Sequence, residues 1–169
     1  MQIWIDADAC PQDCKELLFK AAQKRQVLVT LVSNSSLFIP RSSYINQVVV
    51  RDGMNIADRK IVELLSPGDL VITADIPLAA DVVAKGAEAL NPRGELYTHV
   101  NIGERLAMRN LYDEMRGSGQ VMRGPQGYTP KNRQDFANQL DRWLTKVQRE
   151  QAAKSVPLPP AEESGSTET

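Results

Sequence analysis

Four aspartates follow apolar runs in this chain, and carboxylates placed in this way can bind a cation. They are Asp6 and Asp8 after Ile-Trp-Ile, Asp75 after Val-Ile-Thr-Ala, and Asp58 in the turn that follows Val48–Val50. The parallel strands of an open α/β sheet bring their carboxyl-terminal ends to one edge, where ligands usually bind. We therefore expect these aspartates, which are remote in sequence, to meet in one crevice.

Carboxylates that meet in a crevice repel one another unless a cation neutralises them or a proton is retained. Oxygen ligands of this kind suit Mg²⁺ and Mn²⁺. The sequence thus predicts a metal site and a metal-assisted enzyme acting on phosphate esters. Each aspartate also has a structural alternative: Asp6 could simply end its strand, Asp8 could help to cap the following helix, Asp58 could complete a capping box with Asn55, and Asp75 could cap the helix after its strand.

Polar residues elsewhere could position a phosphate at the same edge. Asn34 and Ser35 follow a buried apolar run and could bind a phosphate or a metal-bound water, or they could simply form a turn. Lys131 ends a Gly/Pro-rich segment that could cover the crevice with backbone N–H groups, or could be a structural crossover. Arg93 and Arg109 could each offer a forked donor to phosphate, although both are also ordinary surface residues.

The elements that must position these side chains alternate between strand and helix, which predicts an α/β fold with a parallel sheet in three layers. The predicted strands are Ile3–Ile5, Val27–Val32, Tyr44–Val50, Leu70–Thr73 and Ala87–Leu90, with a small hairpin through Leu96 and Tyr97. Four helices are predicted before residue 120: one that begins at Pro11, one from Asn55 to about Leu65, one over Pro77–Lys85 and one over 102–116. A fifth, amphipathic helix is predicted near the C-terminus, and its buried side chains are Phe136, Leu140, Trp143, Leu144 and Val147. In the helix over 102–116, we expect Leu106, Met108 and Leu111 to form the buried side.

The composition indicates an ordinary globular protein with one domain over residues 1–152 and a disordered tail over 153–169. The chain has 169 residues, of which 42% are hydrophobic and 24% charged, enough for one core. No segment has the roughly 20 apolar residues of a membrane span, and the N-terminus begins directly in a strand pattern without a signal sequence. We therefore expect a cytoplasmic protein that does not enter a membrane.

Several kinds of site are excluded by residue counts. Cys10 and Cys14 are too few for a disulfide framework or a four-cysteine zinc site, and we expect them to be small buried side chains. His99 is the only histidine, which argues against a histidine-based zinc site and a Ser-His-Asp triad. Residues 101–154 hold 10 basic and 6 acidic side chains, a balance that suits a polyanionic substrate but also suits solvated helix faces.

Taken together, five segments closely resemble the YaiI/YqxD family of bacterial proteins. The segments are Ile5–Pro11, Asn34–Ser36, Asp52–Asp58, Ile72–Ala79 and the Gly124-Pro125…Tyr128-Thr129 pattern. The resemblance covers about residues 1–148, and the combination is specific although each segment alone is weak. That family is similar to the PIN-like nuclease superfamily, whose members have a parallel sheet flanked by helices and a carboxylate cluster that binds Mg²⁺ or Mn²⁺.

The resemblance implies roles for individual residues. Asp6 resembles the first-strand aspartate of PIN-like enzymes, Asp58 their helical acidic residue, and Asp75 their late-strand aspartate. Asp8 is particular to the YaiI/YqxD pattern, and the fourth PIN-like acidic position has only Asp81 or Asp8 as a match. The implied function is a metal-dependent nuclease, with RNA preferred over DNA or small phosphodiesters, in which Asn34, Ser35 and Lys131 position the phosphate.

Two other functions remain open from the sequence. A hydrophobic strand ending in Asp-x-Asp also resembles the start of haloacid-dehalogenase phosphatases, in which Asp6 would be the nucleophile and Ser35, Lys60 and Asp75 would fill the other roles. The paired acidic motif of those enzymes has no match here, because Asp75 stands alone. The third hypothesis is a non-catalytic RNA-binding or regulatory module, although only 5% of the residues are aromatic and few could stack on bases.

Overall fold

A computed structural model describes residues 1–119 and 127–155. Six strands lie in it: β1 (Ile3–Asp6), β2 (Val29–Ser33), β3 (Ile45–Val49), β4 (Leu70–Ile72), β5 (Glu88–Leu90) and β6 (Leu96–Tyr97). Its five α-helices are α1 (Gln12–Arg25), α2 (Ile56–Leu64), α3 (Ile76–Ala84), α4 (Ile102–Gly117) and α5 (Pro130–Lys154). Most of the tail expected to be disordered, and residues 120–126 of the Gly/Pro-rich segment, lie outside the described residues; α5 itself continues through the expected boundary at residue 153.

The α/β fold is confirmed, but the sheet is mixed rather than wholly parallel. Its strand order is β3-β2-β1-β4-β5-β6, and the first five strands are parallel. The last strand, β6, runs antiparallel to β5 because a tight turn over residues 91–94 reverses the chain. Gly94 has φ +97°, and a Cβ there would lie 2.6 Å from the carbonyl carbon of Asp135, so this turn fits closely against α5.

Helices cover both faces of the sheet. The first face carries α1 and α5, and the buried side chains of α5 are Phe136, Leu140, Trp143, Leu144 and Val147. The opposite face carries α2 and α3, which bury Ile61, Leu78 and Val82 around Trp4 and Val71 of the sheet. The neighbouring strands β1 and β4 are buried along their whole length, and apart from Asp6 at the end of β1 they are apolar, because both of their faces are covered.

The fourth helix differs from its prediction. None of the residues of α4 is buried, and two of its expected core residues, Met108 and Leu111, are 38% and 49% exposed. The helix packs beside α3, outside the layers that cover the sheet. Because it contacts a neighbouring helix and not the sheet, its apolar side chains stay largely exposed.

The connection between β2 and β3 contains no helix, although the two strands are parallel. Residues 34–44 cross back over the sheet as irregular chain, and Leu37, Ile39 and Tyr44 pack against the core of the α1 face. The side chain of Gln47 in β3 holds this crossover by accepting from the Leu37 N–H at 3.0 Å and donating to the Leu37 carbonyl at 3.1 Å.

Three smaller predictions can be compared with the structure. Cys10 and Cys14 are free and buried, as expected. His99 lies exposed in the turn before α4. None of the helices in residues 1–119 and 127–155 is both long and apolar enough to cross a membrane.

A buried carboxylate, that of Asp69, lies before β4 at the amino-terminal edge of the sheet. It is 2% exposed and accepts three N–H donors: the backbone of Gln2 at 3.0 Å, the indole of Trp4 at 3.0 Å and the backbone of Ser66 at 2.9 Å. Burial of a charge is tolerated when hydrogen bonds replace its water. Asp69 is thus a structural carboxylate, and the number of its hydrogen bonds can be compared with that of the aspartates at the opposite edge of the sheet.

Candidate functional site

The candidate site lies where β1 and β4 end side by side. The crossover through α1 carries the chain from β1 to one side of the sheet, and β4 joins β1 from the other side, so this is the topological switch point at which open α/β sheets bind ligands. Asp6 is the last residue of β1. Thr73, which follows β4, donates from its Oγ1 to Asp6 Oδ2 over 3.3 Å, and this bond links the two strand ends.

Asp75 caps the helix after its strand, as its structural alternative proposes, and also lies at the candidate site. It is the N-cap of α3, and its Oδ1 accepts from the backbone N–H of Leu78 at 2.9 Å. Its own backbone N–H donates to Thr73 Oγ1 at 3.0 Å. The helix cap occupies one carboxylate oxygen, and Oδ2 has no hydrogen-bond partner among the described residues.

Asp58 lies in the first turn of α2, and the capping box considered for it is not formed. Asn55 holds the N-cap position with φ +62°, but its side chain makes no capping hydrogen bond. Both carboxylate oxygens of Asp58 therefore stay available. The same two residues line the cleft described below.

Asp8 does not lie where an extended strand would place it. The strand ends at Asp6, and residues 7–9 form a 3-10 turn, so Asp6 and Asp8 do not share a strand face. Asp8 is exposed, does not cap α1, and accepts from the backbone N–H of Asn34 at 3.2 Å. Asn34 thus reaches the site through its main chain.

Neither Ser35 nor Lys131 makes a contact with the four aspartates. Ser35 is exposed, and its carbonyl accepts from the buried Ser33 hydroxyl at 2.6 Å, as expected for the turn alternative. Lys131 lies in the first turn of α5, 84% exposed, and its Nζ is 3.0 Å from Asp135 Oδ2. Lys131 and Ser35 are also absent from the described residues that line the cleft.

A cleft of about 580 Å³ opens beside these strand ends, on the face covered by α2 and α3. One wall comes from α2, the floor comes from the start of α3, and Arg109 reaches in from α4. Asp6 is buried next to the cleft and does not line it. The lining residues are Asn55, Asp58, Arg59, Val62, Glu63, Asp75, Pro77, Leu78, Asp81 and Arg109.

Burial and mutual repulsion raise the pKa of two of these carboxylates, Asp6 and Asp58. Burial, and then the negative charge of Asp58, raise the pKa of Asp6 from 3.8 to about 6; Asp75 and Asp8 add to the increase, and the Thr73 hydrogen bond opposes it. Burial raises the pKa of Asp58 as well, with the charges of Asp75 and Asp81 contributing. These couplings mean that the aspartates share one region of negative potential.

No cationic side chain of the described residues is paired with these carboxylates. None of the ion pairs within residues 1–119 and 127–155 involves Asp6, Asp8, Asp58 or Asp75. Asp6 is only 8% exposed, yet it accepts a single hydroxyl donor, whereas Asp69 accepts three N–H groups. A carboxylate that is buried with so little compensation favours an external cation or a proton.

The donor set fits a hard divalent ion in its chemistry. All candidate donors are carboxylate oxygens, which Mg²⁺ and Mn²⁺ prefer. Within the described part of the chain, no group of three or more His, Cys, Asp or Glu side chains is arranged so that it could hold a metal ion. An ion at this edge would therefore have to bind one or two of these carboxylates and complete its coordination with water, as Mg²⁺ commonly does.

Two residues of the site were missed or undervalued by the sequence reasoning. Thr73 is 1% exposed and joins Asp6 to Asp75, and its position two residues before a cap aspartate was the available signal. Asp81 lines the cleft and contributes to the raised pKa of Asp58. Its spacing of six residues from Asp75 is not one that aligns two side chains on a helix face, so the sequence offered no clear signal for it.

We expect Thr73→Val to raise the pKa of Asp6 above about 6, because the hydroxyl that stabilises the ionised carboxylate is lost. The variant should also lose about 1–2 kcal/mol of unfolding free energy, since the Asp75 N–H loses its acceptor. A carboxyl-carbon NMR titration of Asp6 and denaturant unfolding measure the two effects. Thr73→Ser, which keeps the hydroxyl, is the control, and an unchanged Asp6 titration in Thr73→Val would contradict the role given to this hydrogen bond.

Comparisons with known proteins identify relatives along nearly the whole described fold. The family model described as "Uncharacterized BCR, YaiI/YqxD family" matches residues 4–146. A UPF0178 protein of Maridesulfovibrio salexigens is 56% identical over 86% of this chain and 97% of its own length. A UPF0178 protein of Hydrogenovibrio crunogenus is 57% identical over 89% and 99%, respectively. No solved structure matches the chain.

Proposed function

The chain belongs to the YaiI/YqxD family, and we propose that it is a PIN-like, divalent-metal-dependent phosphodiester hydrolase that acts on nucleic acid, with RNA preferred. The observation that carries the proposal is the uncompensated carboxylate group at the β1/β4 switch point, centred on a buried Asp6 with a raised pKa. The parallel order β3-β2-β1-β4-β5 supports the PIN-like part of the proposal. The preference for RNA rests on the resemblance to PIN-like enzymes.

In this proposal some residues bind the metal ion and others orient the side chains that bind it. Asp6 and Asp58 would supply carboxylate oxygens to Mg²⁺ or Mn²⁺, and Asp75, whose Oδ1 caps α3, would offer Oδ2 to a water bound to the ion. Thr73 fixes the rotation of Asp6 through its hydroxyl. Asp8, held by the Asn34 N–H, is exposed and free to accept a proton from a water or to act as a further ligand.

When bound, a divalent ion lowers the pKa of a coordinated water and stabilises charge on the phosphate and the leaving oxygen. The chain contributes a site that is already negative before substrate arrives. A carboxylate whose pKa is about 6 is mostly ionised at pH 7.5, so the site is ready for a cation at the pH of the bacterial cytoplasm, which is the proposed location.

The test is hydrolysis of bis(p-nitrophenyl) phosphate and of labelled RNA and DNA oligonucleotides by the purified chain. We expect cleavage with Mn²⁺ or Mg²⁺ and none with EDTA, with RNA cut faster than DNA. Turnover of the monoester p-nitrophenyl phosphate through a trapped phosphoaspartate at Asp6 would instead favour the phosphatase. Metal-independent RNA binding without any hydrolysis would favour the non-catalytic module.

A further inference from the structure

The cleft beside the carboxylates carries charges of both signs, and the proposed function above gives the positive side chains no role. Its lining includes four carboxylates, Asp58, Glu63, Asp75 and Asp81, and two guanidiniums, Arg59 and Arg109. The lining therefore has a net charge of −2 and repels a phosphate by itself. One divalent ion at the carboxylates removes that net charge, after which the two guanidiniums remain as the local positive groups.

The two arginines enter from different helices. Arg59 lies on α2 directly after Asp58 and is exposed, and it makes no ion pair with any described residue. Arg109 reaches the cleft from α4, and its Nη1 lies 3.2 Å from Asp113 Oδ2. That pair leaves donors of the guanidinium fork unused, because the fork has five N–H groups.

The position of Arg109 also suggests a role for α4 other than packing in the core. No residue of α4 is buried, so the helix adds little to the core, yet its position beside α3 brings Arg109 to the carboxylate cleft. A volume of about 580 Å³ lies within the ~300–1,000 Å³ range of pockets that hold small ligands. It therefore has room for a phosphate with part of its nucleoside.

We propose that Arg59 and Arg109 are the substrate-binding pair of this cleft and hold a phosphate of the substrate between α2 and α4, next to the carboxylates. The proposal rests on the proposed function in one respect, since it takes the ligand to be a phosphodiester. Planar forked donors suit phosphate oxygens better than a single ammonium does. The phosphate contacts of the pair position the substrate and do not read its bases.

The experiment compares Arg59→Ala and Arg109→Ala with Arg116→Ala. Arg116 is a matched control because it lies on α4, also pairs with Asp113, is 65% exposed, and does not line the cleft. Cleavage of a labelled RNA oligonucleotide with Mn²⁺ gives KM and kcat. Fluorescence anisotropy of the same oligonucleotide with Ca²⁺, which also takes oxygen ligands, gives Kd by a binding signal alone.

We expect KM and Kd to rise about tenfold or more in each cleft variant, with kcat within about twofold of the parent. Arg109→Lys should recover only part of the affinity because it keeps the charge and loses the fork. Arg116→Ala should keep the parent values. Circular dichroism checks folding, which these exposed substitutions should leave intact.

The outcomes separate this proposal from the proposed function. If the parent cleaves RNA and the two cleft variants keep its KM and Kd, the assignment of the arginines is overturned and the hydrolase stands. If the parent binds RNA without cleaving it and the cleft variants weaken that binding relative to Arg116→Ala, the arginine pair stands and the hydrolase is overturned. If the parent neither binds nor cleaves, both are overturned.

Discussion

Asp6→Asn should reduce metal-dependent phosphodiester hydrolysis by about 10³-fold or more, because the substitution removes the charge around which the site is built. The amide has nearly the same shape and can still accept from Thr73. The folded structure should therefore persist. Steady-state kinetics with Mn²⁺ and with Mg²⁺ measure the loss.

The same substitution should not destabilise the protein and should stabilise it above pH 6. The pKa of Asp6 rises from 3.8 to about 6 on folding, so the folded state holds the proton more tightly than the unfolded state does. That contribution is fully present below about pH 4 and is lost as the pH rises through about 6. Without metal, ionised Asp6 costs at most about 3 kcal/mol at neutral pH, by the 1.36 kcal/mol per pKa unit relation.

The control for Asp6→Asn is Asp141→Asn. Asp141 is 66% exposed, lies on α5 and pairs with Arg25, away from the candidate site. Its substitution should leave turnover unchanged. An Asp6→Asn variant that cleaved as fast as the parent would refute the site, whereas loss of turnover with a raised unfolding free energy at pH 7.5 would separate loss of function from loss of fold.

Mn²⁺ should raise the unfolding free energy of the parent at pH 7.5 by about 2.7 kcal/mol when its concentration is 100 times Kd. The physical reason is that the ion removes the repulsion among Asp6, Asp58 and Asp75 in the folded state alone. At pH 5.5 the gain should be much smaller at the same Mn²⁺ concentration, because Asp6, with a pKa of about 6, is then mostly protonated and the ion must displace the proton.

Calorimetric unfolding at the two pH values, with and without Mn²⁺ at matched ionic strength, measures this linkage. Asp6→Asn should lose most of the gain at pH 7.5 and much of its dependence on pH, of which Asp58, whose pKa is also raised, keeps a part. Equal stabilisation of parent and variant would place the ion elsewhere on the protein. No stabilisation at either pH would leave the carboxylates without their predicted cation.

Strand positions were the most predictable part of the fold, because continuous β-branched runs such as Val29–Ser33 have few alternatives to a buried strand. The hairpin through Leu96 and Tyr97 was also visible, but its effect on the sheet as a whole was not, and the sheet proved mixed. The buried side expected for α4 was wrong because amphipathic spacing does not tell whether a helix meets the sheet or only a neighbouring helix. Met108 and Leu111 show this difference.

For the candidate site, the sequence placed the aspartates after strands but not their local geometry. An extended strand would put Asp8 on the same face as Asp6, but the chain turns directly after Asp6. One oxygen of Asp75 caps α3 and the other is left for the crevice, and this arrangement depends on where α3 begins. Thr73 was overlooked because its local signal, a position two residues before a cap aspartate, does not reveal its hydrogen bond to Asp6, which is 67 residues away in the chain.

The helix-free crossover between β2 and β3 has a consequence for motion. Parallel strands usually gain a covering helix from their connection, but here the edge strand β3 is shielded by residues 34–44, which Gln47 fastens at one point. The crossover has no helix or strand of its own, so it should open by local unfolding more readily than the central strands and exchange its amide hydrogens sooner. This segment begins at Asn34, whose N–H donates to Asp8. Its opening would therefore release the exposed carboxylate of Asp8 and leave the buried Asp6 in place.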